Sequence, residues 1–168
     1  FDFKGIDFAF FSAGSSVSEH YAPIAAKAGA IVIDNTSQFR YEDDIPLVVP
    51  EVNPDALMKY STTNIIANPN CSTTQMLVAL NPIHQEATIK KINVATYQAI
   101  SGAGRKTLDI FNQQLISDKY PNSDDPMLFA HNVIPQIGEF DEDGNSIEEM
   151  KMLWETQKIF NDQEIRVN

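Results

Sequence analysis

The chain has 168 residues and a mass of 18.7 kDa, with 12 Lys plus Arg against 23 Asp plus Glu and a formal net charge of −11. One cysteine excludes an internal disulfide framework and a Cys-rich zinc site. The acidic balance argues against broad nucleic-acid binding, which needs a basic stripe to displace counterions from phosphates. A hydrophobic fraction of 43% with 21% charged residues fits a globular chain, and no apolar run approaches the length of a membrane span. There is no initiator Met and no basic segment leading into an apolar leader, so an internal piece of a cytoplasmic protein is expected.

The first third alternates strand and helix signals. Ile6–Ser12 is an apolar run suited to a buried strand, broken by Ala13-Gly14-Ser15-Ser16. Glu19–Ala28 carries Tyr21, Ile24, Ala25 and Ala28 at helical spacing, with Gly29 as a stop. Ala30–Asp34 reads as a second strand. Two strands that are apolar throughout and joined by a short helix predict a parallel βαβ unit, buried on both faces. Leu47–Val49 is a short apolar stretch in a segment punctuated by Pro and acids; Asn53-Pro54 opens a helix through Tyr60; Asn64–Ala67 is a further strand.

Asn68-Pro69-Asn70-Cys71-Ser72-Thr73-Thr74 then leads into a helix over Gln75–Pro82, whose apolar face comprises Met76, Leu77, Leu80 and Ile83. Cys71 therefore falls at a strand–turn–helix junction. Lys91–Ala99 has strand-like composition and ends at Ser101-Gly102-Ala103-Gly104. Arg105–Ser117 reads as a helix with Leu108, Phe111, Leu115 and Ile116 apolar, followed by a polar loop over Asp118–Pro126. Asp141–Asn145 is an acidic turn, Ser146 and Glu149 form a capping-box pattern for a helix through Phe160, and Ile165–Val167 starts a strand.

Cys71 is the sharpest chemical feature. The first N–H groups of a helix lack intrahelical partners and the aligned peptide dipoles place positive charge there, which favours a thiolate and a nearby oxyanion. A lone cysteine is also a common small core residue, and the spacing alone leaves both readings open. Gln98 stands at a strand end before a Gly-rich turn, where α/β folds bind ligands; a ligand-free turn fits equally. Arg40 suits bidentate recognition of phosphate or carboxylate, or a surface pair with Glu42, Asp43 or Asp44. Glu148 and Lys151 share a helix face, as an ion pair or as ligands. His20, His84 and His131 suggest no metal spacing, and no metal is expected.

Taken together, the motifs resemble aspartate-semialdehyde dehydrogenase. They are Phe11-Ser12-Ala13-Gly14-Ser15-Ser16, Val32 to Arg40 (with Asp34-Asn35-Thr36-Ser37), Pro46 to Asn53, Pro69-Asn70-Cys71-Ser72-Thr73, Thr96 to Gly104, and Glu148-Glu149-Met150-Lys151-Met152. The Ser-Gly-Ala-Gly run is closer to the Gram-positive-type bacterial branch. The resemblance implies an α/β fold: residues 1–67 as the C-terminal part of an NADP-binding Rossmann domain, and 68–168 as the N-terminal part of an α+β catalytic and dimerisation domain. It implies reversible NADPH-dependent reduction of β-aspartyl phosphate to aspartate semialdehyde and phosphate, serving lysine, threonine, methionine and diaminopimelate synthesis, in a homodimer or homotetramer.

By the same resemblance Cys71 would be the nucleophile, Gln98 would orient the substrate, and Asn70 would lie alongside the thiolate. Arg40 and Lys151 would hold phosphate and Glu148 the substrate amino group. Ser12, Ala13, Gly14, Asn35, Ser101 and Gly102 would line the cofactor. The family's Gly-rich fingerprint would precede Phe1, and its catalytic His and carboxylate-binding Arg would follow Asn168, so these 168 residues alone are expected to be inactive. The alternatives are an N-acetyl-glutamyl-phosphate reductase, which shares the thioester logic, and a non-catalytic binding module in which Cys71 is a packed core residue.

Overall fold

The structure, a computed structural model, describes residues 1–116 and 127–168. The polar loop expected over Asp118–Pro126 lies outside the described residues, as does Ser117 at the end of the helix before it. Two compact units divide the chain, residues 1–94 with 149–168 and residues 95–148.

In the larger unit, strands β1 (Phe8–Phe11), β2 (Ile31–Asp34) and β3 (Ile65–Ala67) form a parallel sheet in the order β1-β2-β3. Phe8 pairs with Ile31 and Val32 with Ile65. Helix α1 (Ser15–Lys27) makes the β1–β2 connection, giving the βαβ unit expected. Its Ala22, Ala25 and Ala26 are buried, and side chains this small let the helix approach the strands closely. Gly29, at φ +99°, turns the chain into β2 in a conformation that costs a residue with a Cβ.

The expectation of strands buried on both faces is corrected for β1. Phe11 is buried, whereas Phe8 is 58% and Phe10 77% exposed. Successive side chains of a strand point to opposite faces, and among the described residues the core covers one of them. Beyond β2, Leu47 bridges to Ala67, and the amide of Ala67 donates to the carbonyl of Pro46, extending the sheet past β3. Asn53 holds this segment with both ends of its amide, donating to the Leu47 carbonyl and accepting from the Val49 N–H. The helix opened by Pro54 is a 3-10 helix over Pro54–Thr62.

Helix α2 (Cys71–Ala87) starts four residues earlier than the apolar spacing indicates, because its first turn is polar and capped. Leu77 is fully buried, but Ile83 is 54% exposed and drops out of the expected apolar face. The strand expected over Lys91–Ala99 is corrected to β4 (Lys91–Ile92), pairing with β5 (Arg166–Val167). A strand extends only where a partner satisfies its backbone, and this ladder supplies two paired residues and a bond from the Val94 amide to Asn168.

The smaller unit contains a 3-10 turn (Ile100–Ala103), helix α3 (Arg105–Ile116) and the acidic turn at Asp141–Asn145. Gln114 of α3 donates to the Met127 carbonyl and accepts from the Phe129 and Ala130 amides, tying residues 127–130 to the helix. Asp141 accepts from the Asp143 and Asn145 amides. The Asn145 side chain, and after it the Asn145 amide, hold the Asp141 carboxyl below its ordinary value. Helix α4 (Ile147–Phe160) starts directly after Ser146, as the capping pattern indicates, and its residues from Glu149 onward belong to the larger unit. Among the described residues no helix is long and apolar enough to cross a membrane.

Candidate active site

The three parallel strands deliver their carboxyl ends to one edge of the sheet, where open α/β sheets place ligands. After β1 comes the exposed turn Ser12-Ala13-Gly14; after β2, Asn35; after β3, Asn68 to Cys71. The turns are bonded to one another. The Asn35 amide donates to the Phe11 carbonyl, the Asn68 amide to the Asp34 carbonyl, and the Asn68 side chain to Asn35 Oδ1 at 2.7 Å.

Cys71 is exposed and is the first residue of α2. The Asn70 side chain caps this helix, accepting from the Ser72 amide at 2.8 Å, while the Asn70 carbonyl accepts from the Thr74 amide and hydroxyl. The Asn70 amide is fixed as well, donating to Glu155 Oε2 at 2.7 Å. A residue anchored at its amide, carbonyl and side chain leaves little freedom to the cysteine that follows. The opening of a long α-helix also faces an approaching anion with its dipole and backbone donors.

Behind this turn runs a buried polar network. Ser18 donates to Asp34 Oδ1, and Thr36 donates to the same carboxylate through its amide and its hydroxyl. Arg40 donates from Nε to the Thr36 carbonyl, from Nη2 to the Asn35 carbonyl and from Nη1 to Glu155 Oε1, each at 3.0 Å. The reading of Arg40 as a surface partner of Glu42, Asp43 or Asp44 is therefore corrected. It is 6% exposed, and the carboxylate it pairs with is Glu155, 115 residues away. These three bonds use three of the five guanidinium N–H groups.

Lys158, one turn beyond Glu155, donates from Nζ to the carbonyls of Arg40, Glu42 and Ile45. Its pKa is lowered by burial, with Asp43 and Glu42 acting against that shift. Lys151, half-buried, stands one turn before Glu155. Gln98, Ser101 and Gly102 lie in the smaller unit, all exposed, with the Gln98 amide folded over Gly102 so that a Cβ there would collide with Gln98 Nε2. Glu148 also falls in that unit, on the first turn of α4. The structure thus brings together Ser12, Ala13, Gly14, Asn35, Arg40, Asn70, Cys71 and Lys151 in one unit and Gln98, Ser101, Gly102 and Glu148 in the other.

His20 packs edge-on against Tyr21, and His84 stacks on Phe160. Among the described residues no group of three or more His, Cys, Asp or Glu is placed to hold a metal ion.

Residues 1–60 match the family model for the semialdehyde dehydrogenase NAD binding domain, and residues 80–168 match that for the semialdehyde dehydrogenase dimerisation domain. The chain belongs to the semialdehyde dehydrogenase family.

Among its relatives, an aspartate-semialdehyde dehydrogenase of Vibrio mimicus is 54% identical over 172 residues, covering 100% of this chain and 54% of that protein. The crystal structure of aspartate semialdehyde dehydrogenase II complexed with ASA from Vibrio cholerae superposes with a TM-score of 0.91 at 53% identity, covering 100% of this chain and 51% of that one. An aspartate semialdehyde dehydrogenase with NADP from Candida albicans gives 0.66 at 26% identity, over 96% of this chain and 45% of that one. The chain spans about half the length of the relatives it matches.

Sequence reasoning missed Glu155, Lys158 and Asp34. A signal for Glu155 was present: Met152, Glu155, Thr156 and Ile159 are the buried positions of α4, so a glutamate occupies the apolar stripe at i, i+3, i+4, i+7 spacing. A charge on such a stripe must find a buried partner.

Proposed function

We propose that the protein carrying this chain reduces β-aspartyl phosphate to aspartate semialdehyde and phosphate, reversibly and with NADPH. The observation that carries the reading is an exposed cysteine at the first position of α2, beside the carboxyl ends of parallel strands, its preceding residue anchored on all sides. Relatives above 50% identity that bear the aspartate-semialdehyde name favour this substrate over N-acetyl-glutamyl phosphate.

In this reading the Cys71 thiolate attacks the acyl carbon of the substrate, and the carbon–oxygen bond to phosphate breaks, leaving a thioester on Sγ. Arg40 and Lys151 hold the departing phosphate, a local task for two cations in a chain of net charge −11. The positive end of the α2 dipole at Cys71 would stabilise the oxyanion of each tetrahedral species. Glu148 meets the substrate amino group and Gln98 orients the acyl group. A bound nicotinamide dinucleotide would supply the hydride that reduces the thioester. Collapse of the resulting thiohemiacetal frees the aldehyde and restores Sγ.

The cofactor-facing residues are Ser12, Ala13, Gly14, Asn35, Ser101 and Gly102. The fit is best at Gly14, where φ is +107°, a Cβ would meet open space, and α1 begins without a side-chain cap. An uncapped helix start in an exposed turn suits an anionic nucleotide. NADP as the particular nucleotide draws support from the Candida relative solved with it.

We further propose that 1–67 is the C-terminal part of the dinucleotide-binding domain and 68–168 the N-terminal part of the catalytic and dimerisation domain, a boundary lying between the two family matches. A homodimer or homotetramer in the cytoplasm, serving lysine, threonine, methionine and diaminopimelate synthesis, completes the reading. Placement in the Gram-positive-type branch rests on Ser101-Gly102-Ala103-Gly104 alone; the bacterial relatives above come from Vibrio.

The test is Cys71→Ala and Cys71→Ser in the full-length gene product. Turnover of aspartate semialdehyde with phosphate and NADP is expected to fall by about 10³-fold or more, as for loss of other covalent nucleophiles. Undiminished turnover sinks the reading, and faster turnover of the N-acetyl-glutamyl substrate transfers it to the sister activity.

A further inference from the structure

We propose that Glu155 is a positioning residue that locks the phosphate-holding guanidinium of Arg40 and the nucleophile turn at Asn70–Cys71 into one geometry. This rests on the reading of Cys71 as nucleophile and Arg40 as a phosphate contact.

Glu155 is fully buried. A carboxylate in that place costs desolvation, and an apolar side chain between Met152 and Ile159 would serve packing as well or better. Its two oxygens are divided between two different groups. Oε1 accepts from Arg40 Nη1 at 3.0 Å, and Oε2 accepts from the Asn70 amide at 2.7 Å, a short bond of the charge-assisted kind. One rigid carboxylate therefore fixes the distance between the guanidinium and the backbone that carries Cys71.

The same bond finishes the orientation of Arg40. With Nε and Nη2 on the Thr36 and Asn35 carbonyls and Nη1 on Glu155, the plane of the guanidinium is set by three partners on two elements. One N–H on each of Nη1 and Nη2 takes no part in these three bonds. Lys158 reinforces the arrangement from the next turn of α4 by clamping the carbonyls of residues 40, 42 and 45. Both partners of Glu155 are donors, so a carboxamide in its place must turn its own N–H₂ toward one of them.

The experiment compares Glu155→Gln and Glu155→Asp with wild type in the full-length protein, reading thermal melting, kcat, and KM for phosphate in the phosphorylating direction. For a folded Glu155→Gln, kcat is expected to drop by about 10²-fold, the scale of a 1 Å misplacement of reacting groups. Phosphate KM is expected to rise about tenfold, the scale of one lost charge-assisted hydrogen bond. Glu155→Asp keeps the charge but shortens the reach, so a smaller loss in both constants is expected. If Glu155→Gln does not fold, Glu155→Asp decides.

A lowered melting temperature with both constants at wild-type values overturns the proposal and leaves Glu155 as packing. A fall in kcat with phosphate KM unmoved overturns the link to Arg40. Cys71→Ala is the separating control: if it retains turnover, the nucleophile reading has failed, whereas its inactivity beside an unaffected Glu155→Gln counts against positioning alone.

Discussion

The two ends of the proposed catalytic set are built in opposite ways. Around Cys71 and Arg40, residues from β2, the turn after β3, and α4 converge on buried hydrogen bonds, and the core from Ala9 to Ile159 lies wholly within the same unit. Around Gln98, the chain is exposed from Ala95 to Ala99, α3 buries no residue, and Ala130 and Ser146 are the buried ones among the described residues of 95–148. The first region is pre-organised by packing; the second is held by local contacts such as those of Gln114 and Asp141. Nucleophile geometry is thus a property of the larger unit's own core and buried hydrogen bonds.

The sharpest way to break this contrast is a matched pair of truncations. Leu77→Ala empties a fully buried position and is expected to destabilise by about 2–5 kcal/mol, whereas Ile116→Ala, 84% exposed in the other unit, should stay within about 0.5 kcal/mol. Urea denaturation of the two variants measures both, and equal losses would erase the distinction. A smaller effect is expected from Asn70→Ala, which removes the cap on the Ser72 amide. Its cost is about 0.5–2 kcal/mol, with Asn70→Gly losing less, because a residue without a Cβ leaves the Ser72 amide open to water.

The smallest effect belongs to the acidic turn of the second unit. The Asp141 carboxyl lies below its ordinary value of 3.8, chiefly through the Asn145 side chain. Its contribution is therefore present above that value and is lost as pH falls through the lower folded value. The protection of the Asp143 and Asn145 amides, measured as exchange relative to the intrinsic rate at each pH, should stay unchanged from neutrality down to about pH 4 and fall only below it. Loosening at pH 6 would mean that some other group holds the turn.

Much of the framework was legible in the residues. The βαβ order, the stop at Gly29, the cysteine at a helix start and the helix following Ser146 all follow from short-range signals: apolar spacing, Gly and Pro punctuation, capping side chains. Strand extents were less legible. Val94–Ala99 has the composition of a strand, yet a strand exists only as far as its partner does, and composition carries no partner. Phe8 and Phe10 misled in the same way, since apolarity reveals a preference for burial and not which face is covered.

The sequence by itself determined the order and type of the early elements and which residue types could do chemistry, because backbone preferences and capping act over a few neighbouring positions. Only the tertiary structure decided that Arg40 turns inward to Glu155 and that Glu155 also holds the Asn70 amide, across separations of 115 and 85 residues. A buried charge must be met by whatever the fold brings within hydrogen-bond reach, and that meeting is settled by packing in three dimensions.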